Sequence, residues 1–243
     1  MNGSRDINIV PASIVVAGLI VAGAVLYQQP LKSTTATGKQ TASADKAALI
    51  VSWDDMGVQL VRAGVIDSEK FKAIYEGRGQ FTNEYANLLF GEDDGQLEIN
   101  KDNAGFVLNL LWALGLGNKS PVLEDGEMAN PKYGGPQNFA STAGWTMAKG
   151  DVMDHYNAHR FINLTAEQEK SVARVAQSIY RPCCGNSAYF PDCNHGMAML
   201  GFLELTASQG ATEKEMYNSA LVLNSFWFPG YEPGEKQGGG CNV

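Results

Sequence analysis

The chain is short of basic charge and of cysteine, and each shortage removes a class of function. Charged residues make up only 18% of it, and the basic ones are outnumbered 18 to 26, for a net charge of −8. So acidic a chain repels phosphate backbones, which argues against nucleic acid as a partner. Four cysteines in 243 residues are too few for a disulfide-built scaffold. Phosphate-loop and dinucleotide glycine patterns are missing, and the acidic stretch GEDDGQLEINKDN lacks the ligand order of an EF-hand. Internal repeats and long runs of alternating β-branched residues are missing too, which leaves helices as the expected elements.

Apolar residues are plentiful at 44%, enough for a packed core. Residues 1–8 form a short polar tail, and Ile9 to Tyr27 then run without a charge. As a helix of ~1.5 Å rise per residue, this run spans about 28 Å, close to the thickness of a bilayer's hydrocarbon core. A single transmembrane anchor is expected here, with the membrane as its partner. Its leader, MNGSRDIN, is less basic than that of a cleaved signal peptide. Residues 28–45 are small and polar and read as a tether. The flanking lysines give no help with orientation. The stalk-like tether and the acidic domain point to a single-pass protein with its domain outside the cytoplasm.

Residues 46–228 carry successive helix signals and residues 229–243 a Gly/Pro-rich tail. Ser52 is positioned to cap a helix ending before Gly64, Asp67 one ending at Gly77, and Thr82 one ending at Gly91. An apolar helix is expected over Phe106–Leu116. Between Gly117 and Gly150, periodicity disappears among prolines and glycines, which predicts one long irregular loop and a surface for a protein partner. Thr165 with Gln168, and Thr212 with Glu215, form capping boxes for two later helices. Between these two lies an apolar helix over His195–Ser208. The expected fold is mainly α: a helical bundle with one long Gly/Pro-rich loop, preceded by a transmembrane helix.

Chemistry concentrates in YRPCCGNSAYFPDCNHGMAMLG, residues 180–201. Pro182, Gly185 and Pro191 keep the loop out of helix, and Cys183, Cys184, Cys193 and His195 stand on it. Three thiolates and an imidazole suit Zn²⁺ or Cu⁺. Neighbouring cysteines diverge along an extended backbone, so the spacing is not that of a standard zinc finger. Two other fates stay open: a disulfide from Cys193 to Cys183 or Cys184, and a reactive thiol at Cys193, where the following helix's N-terminus favours a thiolate. Met197 and Met199 follow, but two residues apart on a helix they cannot face one ion, so they read as core. Asp151, His155 and His159 would line one face if GDVMDHYNAHRF were helical, making His155 and His159 further candidate metal ligands. The contrasting class of function is a non-enzymatic envelope protein whose cysteines only staple the loop.

At WDDMGVQLVRAGVIDSEKF, NAGFVLNLLWALGL, GGPQNFASTAGWTMAKGD and IYRPCCGN…FPDCNHGMAMLGFLELTASQG, the chain resembles a set of bacterial membrane-anchored proteins with an RPCC-x8-C-x-HGMAMLG signature. That resemblance implies the same layout, one membrane segment followed by one domain, and brings no established activity. The cysteine loop is also faintly similar to the thiol-bearing helical domain of cytochrome c maturation proteins, from which it departs in having no Cys-x-x-Cys.

Overall fold

Capping chemistry sets most of the helix boundaries in the computed structural model, which describes residues 49–91 and 95–230. Strand β1 (Leu49–Ser52) is followed by α1 (Met56–Ala63), α2 (Ser68–Glu76) and α3 (Asn83–Phe90). Next come β2 (Gln96–Ile99), α4 (Ala104–Gly117), the single turns α5 (Pro121–Glu124) and α6 (Ala140–Ala143), α7 (Ala166–Ser178), α8 (Asn194–Ser208) and α9 (Glu213–Trp227). Asp67 accepts from the N–H groups of Glu69 and Lys70, and Thr82 accepts from that of Tyr85, as their spacing predicts. Both capping boxes are formed, at Thr165–Gln168 and Thr212–Glu215. The mainly helical expectation therefore holds for the described residues, all of which lie in one unit. None of their helices is long and apolar enough to cross a membrane. The expected anchor (9–27), the tether (28–45) and Cys241 lie outside the described residues.

Four expectations need correction. Ser52 does not cap α1. It ends β1, its hydroxyl donates to Asp54 Oδ1 at 2.6 Å, and α1 starts after Asp55. The strands are a second departure: β1 pairs antiparallel with β2, Leu49 opposite Ile99 and Val51 opposite Leu97. Each strand is four residues long, too short for alternation to stand out from a helical pattern. Third, residues 117–150 do not form one open loop. They fold into α5, α6 and three 3₁₀ turns at Glu127–Ala129, Pro131–Tyr133 and Pro136–Asn138, and they bury Val122, Leu123, Met128 and Trp145. The Trp145 indole donates to Val65 O at 2.8 Å, and the Trp112 indole donates to Ser141 O at 2.7 Å. Fourth, Asp151 to His159 is not a helix. Asp151 caps a 3₁₀ turn at Val152–Asp154, and turns follow it.

Helices α4 and α8 form the centre of the fold, and both are buried along most of their length. They cross where Gly115 faces Gly201. A Cβ on Gly115 would overlap the Met197 carbonyl oxygen, and one on Gly201 would lie 2.5 Å from Leu111 O and 2.7 Å from Gly115 N. Met197 and Met199 are fully buried, which bears out their reading as core.

Glu204 of α8 is also buried, and its Oε2 accepts from Asn118 Nδ2 at 2.9 Å. Desolvation raises its pKa to about 7, with Ser120 and Asn118 only partly opposing the shift. A carboxyl whose folded pKa lies above its unfolded value of about 4.5 contributes stability that is fully present below that value. The contribution falls away as pH rises towards 7. Glu204→Gln, which mimics the protonated acid, should therefore match wild type near pH 4 and exceed it at pH 8 by up to roughly 3 kcal/mol, or several degrees in Tm. Thermal melts across pH 4–8 check this; a difference that does not change with pH would refute it.

Candidate metal centre

The cysteine loop is built by ending one helix early and starting the next on a cysteine. Helix α7 stops at Ser178, where Ile179 turns extended. The chain then folds back on itself through a bridge between Tyr180 and Ser187, with Ala188 N donating to Ile179 O at 2.8 Å. At the tip, Gly185 N donates to Arg181 O at 2.8 Å, and Gly185 has a φ of 71°, a conformation that glycine adopts without strain. Cys183 and Cys184 sit on this tip. Cys193 is the N-cap residue of α8, and His195 lies in its first turn.

Arg181 holds the loop together. Its side chain is fully buried. Nη1 donates to Cys193 Sγ at 2.7 Å, and Nη2 donates to Asp192 Oδ1 at 2.8 Å, Phe190 O at 2.6 Å and Ser187 O at 3.1 Å. Nε donates to Asn186 O at 3.3 Å, while Asn186 Nδ2 donates to Asp192 Oδ2 at 2.9 Å. Gly196 makes room for the guanidinium: a Cβ there would stand 2.5 Å from Nη1 and 2.9 Å from the Pro191 Cα.

Around this charge the sulfurs converge. Cys183 Sγ lies 3.9 Å from Cys184 Sγ and 3.9 Å from Cys193 Sγ. No disulfide joins them, so the staple expected as one alternative is not formed here. Ligand atoms of Cys183, Cys193 and His195 lie within 4.8 Å of one another, as do those of Cys184, Asp192 and Cys193. Two sulfurs bound at ~2.3 Å to one ion stand about 3.8 Å apart in tetrahedral geometry and about 4.0 Å apart in a trigonal plane. The observed spacing already fits. The Cys183–Cys193–His195 group can therefore hold a metal ion. Cys193 is buried, whereas Cys183, Cys184 and His195 are half-buried, so the cluster has a wet side. The His195 ring packs on Phe228 at 4.5 Å and on Trp227 at 5.6 Å, an aromatic wall from the end of α9.

Hydrogen bonds from Cys183 and Cys184 hold the Cys193 thiol well below its ordinary pKa despite burial, and His195 and the Arg181 charge add to the effect. For Cys184, the pull of Cys183 is outweighed by its bond to Cys193 and by burial, which together push its thiol up to about 11. Of these two thiols, Cys193 is the one favoured as a thiolate.

His155 and His159 are placed elsewhere. Neither belongs to the close-packed ligand groups among the described residues. They meet each other instead, His155 Nδ1 standing 3.1 Å from His159 Nε2. Burial, and then the neighbouring His155, lower the pKa of His159. Sequence reasoning had located the four sulfur-site residues but missed Arg181, Asn186 and Asp192. An arginine before Pro-Cys-Cys has nothing in its spacing to announce burial.

No protein-family model, curated protein or solved structure matches this chain. The site is argued from its geometry.

Proposed function

We propose that this protein binds a thiophilic transition-metal ion, Cu⁺ or Zn²⁺, at Cys183, Cys193 and His195, with Cys184 beside them, on a domain tethered to the membrane and facing away from the cytoplasm. The observation that carries the reading is the pair of 3.9 Å sulfur separations beside an imidazole, an arrangement already sized for one ion. Thiolate ligands select Cu⁺ and Zn²⁺ over harder cations. The buried guanidinium 2.7 Å from Cys193 Sγ opposes extra positive charge, which favours the monovalent ion. The anchor and the orientation rest on the uncharged run at 9–27 and the polar tether.

A reading of the site as a reactive thiol is favoured by one observation, the charge-assisted Arg181–Cys193 contact at the start of α8. Both readings need Cys193, and metal analysis separates them. Purified full-length protein loaded with Cu⁺ or Zn²⁺ under reducing conditions should retain one equivalent by elemental analysis. Cys193→Ser should lose it and Cys241→Ser should keep it. Protein with its cysteines fully paired and no retained metal would overturn the proposal.

A further inference from the structure

The sulfur cluster is layered from wet to dry, and the layering suits a bond between two of its members. Cys183 and Cys184 are half-buried, while Cys193 is buried. Two constraints fix Cys193: it is the N-cap residue of α8, and its Sγ accepts from Arg181 Nη1 at 2.7 Å. Cys183 belongs to the loop tip, where Cys184 N and Gly185 N both donate to Arg181 O, at 3.4 and 2.8 Å. Its Sγ stands 3.9 Å from those of both Cys184 and Cys193.

The two contacts are not equivalent. Neighbouring Cα atoms are ~3.8 Å apart, below the ~4.4–6.8 Å span of ordinary disulfides, so a bond between Cys183 and Cys184 would be strained. Cys183 and Cys193 are ten residues apart in the chain and escape that restriction.

We propose that Cys183 and Cys193 are a redox gate on the metal site, closing into a disulfide on reaction with a low-molecular-weight disulfide, RSSR, and reopening in excess thiol. The gate rests on the metal reading above. Cys183, the more accessible partner, loses its proton and attacks one sulfur of RSSR, which gives a Cys183–S–S–R mixed disulfide and releases RS⁻. Cys193 then attacks Cys183 Sγ from the buried side, and the second RS⁻ leaves towards solvent. Each cysteine gives up one proton and one electron, and RSSR is reduced to two RSH. A disulfide sulfur has no charge to offer an ion, so the closed gate removes two of the three ligands and leaves His195. Oxidation also costs the charge-assisted Arg181 contact, which a disulfide sulfur accepts only weakly. The fold thus favours the reduced state, and the bond is readily reversed. A bound ion occupies the same two sulfurs and protects them in turn.

The test treats metal-free full-length protein with oxidised glutathione, desalts it, and reads cysteine connectivity by mass spectrometry and Zn²⁺ retention by elemental analysis. Wild type should show a Cys183–Cys193 link and retain at least about tenfold less Zn²⁺ than the reduced protein, with dithiothreitol reversing both changes. The double variant Cys184→Ser, Cys241→Ser keeps only the proposed pair and should form the same link, and melts under reducing conditions verify that it folds. A stable mixed disulfide, a Cys184–Cys193 link or unmodified thiols would each overturn the gate while the reduced protein still held its ion. Zn²⁺ retained undiminished after the link forms would do the same. A reduced protein that holds no ion would instead sink the metal reading, and the gate with it.

Discussion

Arg181→Met is expected to destabilise the domain by about 3–5 kcal/mol, the usual cost of removing one partner from a buried charge pair. The substitution keeps an unbranched apolar stem but deletes the guanidinium and every N–H that it offers. Asp192, only partly exposed, loses its cation, and the carbonyls of Asn186, Ser187 and Phe190 lose a shared donor. Those three carbonyls and Asp192 are what bend residues 186–192 back towards the start of α8. Metal affinity should therefore fall along with stability, although Arg181 is not proposed as a ligand. Chemical denaturation compared with metal retention in the surviving folded fraction checks both effects. Arg181→Lys should recover little, because one ammonium cannot reach five acceptors arranged around a planar fork. A Met variant as stable as wild type would mean that the loop is held from elsewhere.

Gly201→Val should have an effect of similar size at the opposite end of the argument, in packing instead of charge. Even the Cβ of an alanine would stand 2.5 Å from Leu111 O and 2.7 Å from Gly115 N, and both are backbone atoms of α4 that no rotamer change can move aside. The two central helices must separate, opening gaps along a seam whose residues are almost entirely buried. Overpacking of this kind costs about 1–3 kcal/mol for small intrusions, and valine should exceed that range. The same shift would carry Cys193 and His195, which ride on the first residues of α8, away from Cys183. A drop in Tm of roughly 10 °C or more, measured by circular dichroism, is the expected result. Gly105→Ala, at an open position on α4, is the control and should leave Tm unchanged or slightly raised.

The local signals were readable because they are local. Asp67, Thr82, Thr165 and Thr212 each reach a backbone N–H two or three residues on, so their helix starts follow from the residues alone. The apolar runs of α4 and α8 were equally plain. Ser52 misled because Ser, Asp and Asp come in close succession before α1, and any of them is an acceptable cap. Residues 117–150 misled for a different reason. Their glycines and prolines break periodicity, while the buried anchors Met128 and Trp145 are single residues that leave no periodic trace.

The candidate site divides along the same line. Composition and order by themselves determined that three thiols and an imidazole crowd between two helices, and that the second helix would begin shortly after Cys193, at about His195; it begins at Asn194. That much depends only on neighbours along the chain. Tertiary structure decided that Cys183 and Cys184 both turn towards Cys193, that a buried arginine binds the loop to its own far end, and that His155 and His159 pair with each other. Those outcomes depend on chain reversals and on space left by glycines on a facing helix, and such long-range packing has no signature in the spacing of residues.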